Sequence, residues 1–274
     1  MMEKSPAIFG ILNITEDSFS DGGLYLDPAD AIRRGEALLA QGADVLDLGP
    51  ASSHPDAKSV SPEEEMRRLG PLLEAFTARG AAISLDSYHP ETQRFAMENG
   101  VQYLNDITGF PHPEMYPLLA RFPGRLILMH SVQRRGPATR ADSASPNILA
   151  TILDFFAERL DALEAAGVER KKIILDPGMG FFLGTDPRLS TRVLARMDEI
   201  KERFSLPVFV SVSRKSFLGE LTGRAIPERG AASLAAELFA ARLGVDCIRT
   251  HEPGALRDAL LLEKALEEER EKGR

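Results

Sequence analysis

The sequence predicts an α/β fold, a closed (β/α)8 barrel of the TIM type, on three observations. Eight short apolar runs recur along the 274 residues, the stretches between them carry helical periodicity, and no linker or shift in composition divides the chain. One domain spanning residues 1–274 is therefore expected. An open doubly wound sheet built from the same alternating elements is the competing arrangement.

The apolar runs are Ala7–Ile14, Asp44–Leu48, Ala82–Leu85, Val101–Leu104, Arg125–Met129, Lys172–Leu175, Pro207–Val212 and Val245–Ile248. Most are nearly continuous and rich in Ile, Val and Leu, the pattern of parallel strands covered on both faces. Helix starts lie between them. Asp27-Pro28, His89-Pro90 and Ile226-Pro227 set proline at a first helical position, and Ser61-Pro62-Glu63-Glu64 adds an N-cap serine and a capping-box glutamate. Leu149, Ile152, Leu153, Phe156, Leu160 and Leu163 mark one amphipathic helix. Val193, Met197, Ile200 and Phe204 mark another, at steps of 4, 3 and 4. Gly42, Gly80, Gly100, Gly167 and Gly244 follow helical segments, where a left-handed cap is commonest. The Ala-rich run Gly230–Leu243 permits close helix packing, and Glu267–Arg274 reads as a solvated helix end.

The chain carries 33 Lys and Arg against 41 Asp and Glu, a net charge of −8. A broad cationic footprint for nucleic acid is therefore not expected, whereas a local basic pocket for an anionic small molecule is compatible with it. No stretch approaches the ~18 apolar residues needed to cross a bilayer, so no membrane partner is expected. The opening segment MMEKSPAIFG has no apolar h-region, which predicts no signal peptide and a cytoplasmic protein. The one cysteine, Cys247, precludes an intrachain disulfide and reads as a small buried strand residue.

In a (β/α)8 barrel the active site lies at the C-terminal ends of the strands. Here every strand ends in polar residues: Asn13, Asp47, Asp86, Asn105-Asp106, His130, Asp176, Ser213-Arg214-Lys215, and Arg249 with His251. A lone Asp or Asn leaving a strand is commonly a turn or cap residue. Eight ends of this kind on one rim indicate a site. Asp86, Asn105 and Asp176 supply acceptors and an amide for a neutral, nitrogen-rich heterocycle, since a buried carboxylate takes two N–H bonds worth ~1.5–3 kcal/mol each. Arg214, Lys215, Arg249 and His251 form a cationic cluster for phosphate or carboxylate. Asn13 is neutral and would hold a hard divalent ion weakly, which suits Mg2+ shared with a substrate diphosphate and waters. The five histidines have no zinc-ligand spacing, and Walker A, GxGxxG and nucleophile-elbow patterns are missing.

These residues sit in recognisable stretches. Phe9–Gly23 (FGILNITEDSFSDGG), Ser84–Ser87 (SLDS), Leu104–Ile107 (LNDI), Leu128–His130 (LMH), Leu175–Gly178 (LDPG), Ser213–Ser216 (SRKS) and Arg249–His251 (RTH) resemble, in order and over essentially residues 8 to 262, the dihydropteroate synthase family. Asp47–Asp56 (DLGPASSHPD), Met129–Gln133 (MHSVQ) and Asp176–Gly184 (DPGMGFFLG) resemble its sulfonamide-insensitive branch. The resemblance implies a transferase that joins 6-hydroxymethyl-7,8-dihydropterin diphosphate to p-aminobenzoate, releasing diphosphate and 7,8-dihydropteroate, with Mg2+ as cofactor. It implies that Asp86, Asp176, Lys215 and Arg249 carry the chemistry. Asp86, Asn105, Asp176 and Lys215 would hold the pterin between walls from Ile107 and Met129, with Arg214 stacked on its face. Asn13, Arg249 and His251 would hold diphosphate, with Asn13 on the metal. Phe19, Ser53, Pro55, Phe181 and Ser216 would border p-aminobenzoate. The family also implies a homodimer formed through the last helices.

Two loops depart from the family pattern. The usual G-E-S-T-R-P-G after the second strand is here Pro50–Asp56, so His54 stands for the usual arginine and Ser53 for the usual threonine. The usual G-F-G-K after Asp176 is replaced by Gly180–Gly184, with an added aromatic and no lysine. Both loops are expected over the second-substrate site, reshaped so that a sulfonamide fits worse than a planar carboxylate. Two other readings share Asp86, Asn105 and Asp176. One is a tetrahydrofolate-binding methyltransferase domain, the other a non-catalytic pterin-binding protein; neither requires the cationic cluster.

Overall fold

The computed structural model describes residues 5–15, 27–133, 136–140 and 147–272. Eight parallel strands form one sheet: β1 (Ala7–Asn13), β2 (Val45–Gly49), β3 (Ile83–Asp86), β4 (Tyr103–Asp106), β5 (Arg125–Met129), β6 (Ile173–Asp176), β7 (Phe209–Val210) and β8 (Cys247–Thr250). The hydrogen-bonded order is β6-β5-β4-β3-β2-β1-β8-β7. A parallel bridge from Leu175 to Val208 joins the two outer strands. The cylinder is thus closed, a (β/α)8 barrel, and the open-sheet alternative is overturned.

The strands run one or two residues past most of the apolar runs. Asp86, Asn105-Asp106, Asp176 and Arg249 belong to the ladders themselves. Hydrophobicity stops marking a strand where its inward side chains leave the apolar core, although the backbone pairing continues. β7 is shorter than its run. The Val208 N–H goes to the Asp246 carboxylate at 2.9 Å, and after Val210 the chain turns, with Lys215 N–H bonded to Val212 O at 3.2 Å.

Helices α1 (Pro28–Ala40), α2 (Pro62–Thr77), α3 (Pro90–Glu98), α4 (Tyr116–Arg121), α5 (Ile148–Ala165), α6 (Pro187–Leu194), α7 (Met197–Phe204), α8 (Ser216–Thr222), α9 (Gly230–Arg242) and α10 (Pro253–Lys272) surround the barrel. Outward strand residues such as Ile8, Leu46, Leu104, Leu126, Leu175 and Ile248 are buried against them. Ser61 caps α2 by accepting the Glu64 N–H at 3.3 Å, but the Glu64 carboxylate pairs with Arg67 and Arg68. The stripe from Val193 to Phe204 covers two helices, broken at Ala195-Arg196. All four of its residues are buried, so the periodicity records one buried face and not an unbroken helix. Ile226-Pro227 opens only a 3-10 turn, and α9 begins at Gly230.

One contact from α2 fixes the exits of β1 and β2, and a second sets the approach of α1 to α2. Arg68 is buried and donates through Nη1 to Ile14 O at 3.1 Å and Pro50 O at 3.0 Å, tying together the exits of β1 and β2. Gly35 lets α1 approach α2: a Cβ there would lie 2.3 Å from Cζ of buried Phe76. Gly35→Ala should therefore destabilise the protein by about 1–3 kcal/mol despite alanine's better helix propensity. Thermal unfolding should read this as a Tm several degrees lower.

Candidate active site

Alternate strand residues face the barrel interior. Phe9, Val45, Ile127, Ile174, Phe209 and Cys247 form one buried layer. Phe9 meets Tyr103 and Phe209 edge-to-face at 5.0 and 5.1 Å between ring centroids. Two residues further along the chain the inward positions become Ile11, Asp47, Met129, Asp176, Ser211 and Arg249, with Asn105 two beyond Tyr103, which packs against the layer. An apolar floor thus carries a mostly polar layer.

A cavity of about 300 Å³ opens over that layer. Among the residues singled out in the sequence, Asn13, Ser53, Pro55, Asp86, Phe181, Arg214, Lys215, Ser216, Arg249 and His251 line it. Asn105, Ile107, Met129 and Asp176 are buried and do not line it. Phe182 accounts for part of this. It packs in one cluster with Ile107 and Met129, and Lys215 Nζ lies 5.0 Å from its ring centroid. Phe19 lies outside the described residues.

Arg249 ties three strand ends together. Its Nε donates to Asp47 Oδ2 and its Nη2 to Asp86 Oδ2 at 2.8 Å. Burial works against its charge, but Asp47 and Asp86 outweigh that and keep it protonated. Burial pushes the Asp86 carboxyl up to about 7, against the pull of Arg249. It pushes Asp176 up to about 6, although the Gly178 N–H donates to Asp176 Oδ1 at 2.8 Å. Gly178 is required there: φ is +71°, and a Cβ would lie 2.3 Å from His130 O. Burial and Arg249 push Lys215 down to about 8, with Asp176 and Asp86 pulling the other way. The Asn105 Oδ1 is buried without a hydrogen-bond partner.

The cationic cluster carries less charge than its residue types suggest. Burial, with Arg214, Arg249 and Lys215 nearby, pushes His251 well below its usual range, so its imidazole is neutral at pH 7. His251 Nδ1 lies 2.9 Å from Ser213 Oγ. Arg214 Nη2 donates to Glu252 Oε1 at 3.0 Å. Arg214 also holds an uncommon left-handed backbone, φ +58°. Its N–H donates to Ser233 Oγ at 2.9 Å, and Arg229 Nη1 donates to the carbonyls of Arg214 and Lys215 at 3.0 and 3.3 Å. Strain of this kind collects at functional sites. Arg229 itself lines the cavity. No local pattern marks it, because the carbonyls it holds at the Arg214 turn are 14 and 15 residues away. Two rim residues prove structural. Asp106 accepts from Thr108 and Gln93, and His130 packs edge-to-face on Phe155, its centroid 5.1 Å away.

The family model for pterin binding enzymes matches residues 9–251. The chain belongs to the pterin-binding enzyme family. Within this family it groups with the dihydropteroate synthases and is an enzyme of that kind. It is 56% identical over 267 residues to dihydropteroate synthase type-2 of Escherichia coli, covering 97% of this chain and 98% of that protein. A Xanthomonas albilineans dihydropteroate synthase with 4-aminobenzoic acid superposes with a TM-score of 0.87 at 34% identity, over 97% of this chain and 94% of that one. The same organism's synthase in complex with 7,8-dihydropteroate gives 0.82 at 30% identity, with the same coverage.

Those carboxyls cost stability. Asp176 binds its proton more tightly folded than unfolded, so its contribution is present below about pH 4 and is lost as pH rises through about 6. Asp176→Asn should match the ligand-free parent near pH 3, below the unfolded value of 3.8, and exceed it at pH 8, by on the order of 2–3 kcal/mol. Thermal unfolding across that range tests this; a pH-independent difference refutes it.

Proposed function

We propose that this chain joins 6-hydroxymethyl-7,8-dihydropterin diphosphate to p-aminobenzoate, and that it is insensitive to sulfonamides. The carrying observation is the single cavity bounded by Asp86 and Arg249 below and by Arg214, Lys215, Ser216, Pro55 and Phe181 around it. One space thus offers carboxylate, cations for a leaving diphosphate and an aromatic wall for a second substrate.

In this reading the ionised Asp86 and Asp176 accept N–H bonds from the pterin, the Asn105 side chain adds an amide, and Lys215 binds the ring. Arg214 stacks on the ring face. The C–O bond to the exocyclic methylene breaks, and its electron pair leaves with diphosphate. Asn13, Arg249 and the neutral His251 hold that group by charge and hydrogen bonds. The aniline nitrogen of p-aminobenzoate, set near the methylene carbon by Ser53, Pro55, Phe181 and Ser216, supplies the electron pair for the new C–N bond and releases a proton to water. Aniline is already neutral at pH 7, so no strong general base is needed.

Asn13 fits a weak share in binding Mg2+. Its Oδ1 occupies space that only a glycine leaves, since a Cβ on Gly49 would lie 2.9 Å away. Among the described residues there is no group of three or more His, Cys, Asp or Glu that could hold a metal ion. The ion would therefore take most ligands from diphosphate and water, and would supply charge neutralisation of the leaving group.

The proposal includes a cytoplasmic homodimer. Cys247 is buried and in no disulfide, which suits a reducing compartment. Phe239 on α9 and Leu261, Leu262 and Leu266 on α10 are exposed apolar side chains suited to a second copy.

The decisive test is diphosphate release on mixing the protein with Mg2+, the dihydropterin diphosphate and p-aminobenzoate, repeated with excess sulfamethoxazole. Release in both is expected. Release that the drug abolishes keeps the synthase and removes the insensitivity; no release removes the synthase. Lys215→Ala should lower kcat/KM by about 2–4 kcal/mol, and near-normal kinetics would exclude its proposed role.

A further inference from the structure

The loops after β2, β5 and β6 are drawn together over one side of the cavity by an ion pair spanning 84 positions of sequence. Arg140 Nη1 donates to Asp56 Oδ1 at 2.6 Å, and Nη2 donates to Oδ2. The same guanidinium carbon lies 5.8 Å from the Phe181 ring centroid. His54 meets that ring edge-to-face, 5.8 Å between centroids at 81°. His54 is in turn tied to the ion pair, since its Nδ1 lies 3.8 Å from Asp56 Oδ2; the backbone N–H of Asp56 also donates to that Nδ1 at 3.2 Å. Beside them the Ala138 N–H donates to Ser53 O at 3.1 Å.

His54 and Phe181 line the cavity, whereas Asp56 and Arg140 do not. The two charged side chains stand at the outer rim, 46% and 54% exposed. An exposed ion pair adds at most ~1 kcal/mol to stability. This one is bidentate, and each end also contacts a ring of the cavity wall. The pair thus lies against both the Phe181 and the His54 rings.

We propose that the Asp56–Arg140 pair is a positioning device for the second-substrate wall, acting through Phe181 and His54 to set the width available to a planar aromatic carboxylate. The identity of that substrate rests on the function proposed above; the geometry of the wall does not. Preorganising such a wall before the ligand arrives avoids the ordering cost of binding.

The test uses Asp56→Asn, Arg140→Gln and the double variant. Each single change should raise KM for p-aminobenzoate about fivefold and leave KM for the dihydropterin diphosphate and the Tm near the parent's. The double variant should be no worse than either single one, because the two groups act as one unit. An unchanged KM for p-aminobenzoate, a parallel rise for both substrates, or multiplicative single effects would each overturn the proposal. A second readout needs no activity: with 4-fluorophenylalanine at position 181, the 19F resonance of the ligand-free protein should shift or broaden in each variant. An unmoved resonance overturns the proposal. If the parent releases no diphosphate, the functional reading fails, and the resonance still decides the role of the pair.

Discussion

A closed eight-stranded barrel has room inside for only a few layers of side chains, and each parallel strand turns every second residue inward. That constraint organises the whole molecule. Phe9, Val45, Ile127, Ile174, Phe209 and Cys247 fill one layer with apolar bulk. The next inward positions are charged or polar on most strands, so Asp47, Asp176 and Arg249 meet although they are distant in sequence. A layer of leucine and isoleucine faces outward to the helices and holds the cylinder in register.

The polar layer is stable because its charges nearly compensate. Arg249 is bonded to both Asp47 and Asp86, and Lys215 is pulled by Asp86 and Asp176. Compensation is incomplete, as the raised carboxyls at about 7 and about 6 record. A ligand that brings N–H donors to the carboxylates and anionic oxygens to the cations relieves both deficits at once.

The cavity wall follows a different rule. Its loops are held by side chains that meet across loops: Arg140 with Asp56, His54 with Phe181, and Arg229 with the turn at Arg214. Such contacts leave chemistry to the strand ends and put shape selection in segments that change without disturbing the barrel.

The sequence by itself determined the barrel class, the position of all eight strands to within a few residues, and the residue types on the catalytic rim. It did so because burial on both faces leaves continuous apolar runs, and because glycine and proline punctuate the helices. Only the tertiary structure decided that Asp176 and Asn105 lie behind the open cavity, that His251 is neutral, and that Arg249 already has two carboxylate partners. Charge state and accessibility depend on neighbours brought together by closure, which no local pattern records. The same reason hides Arg229 and the Asp56–Arg140 pair: their roles exist only between segments that the fold makes adjacent.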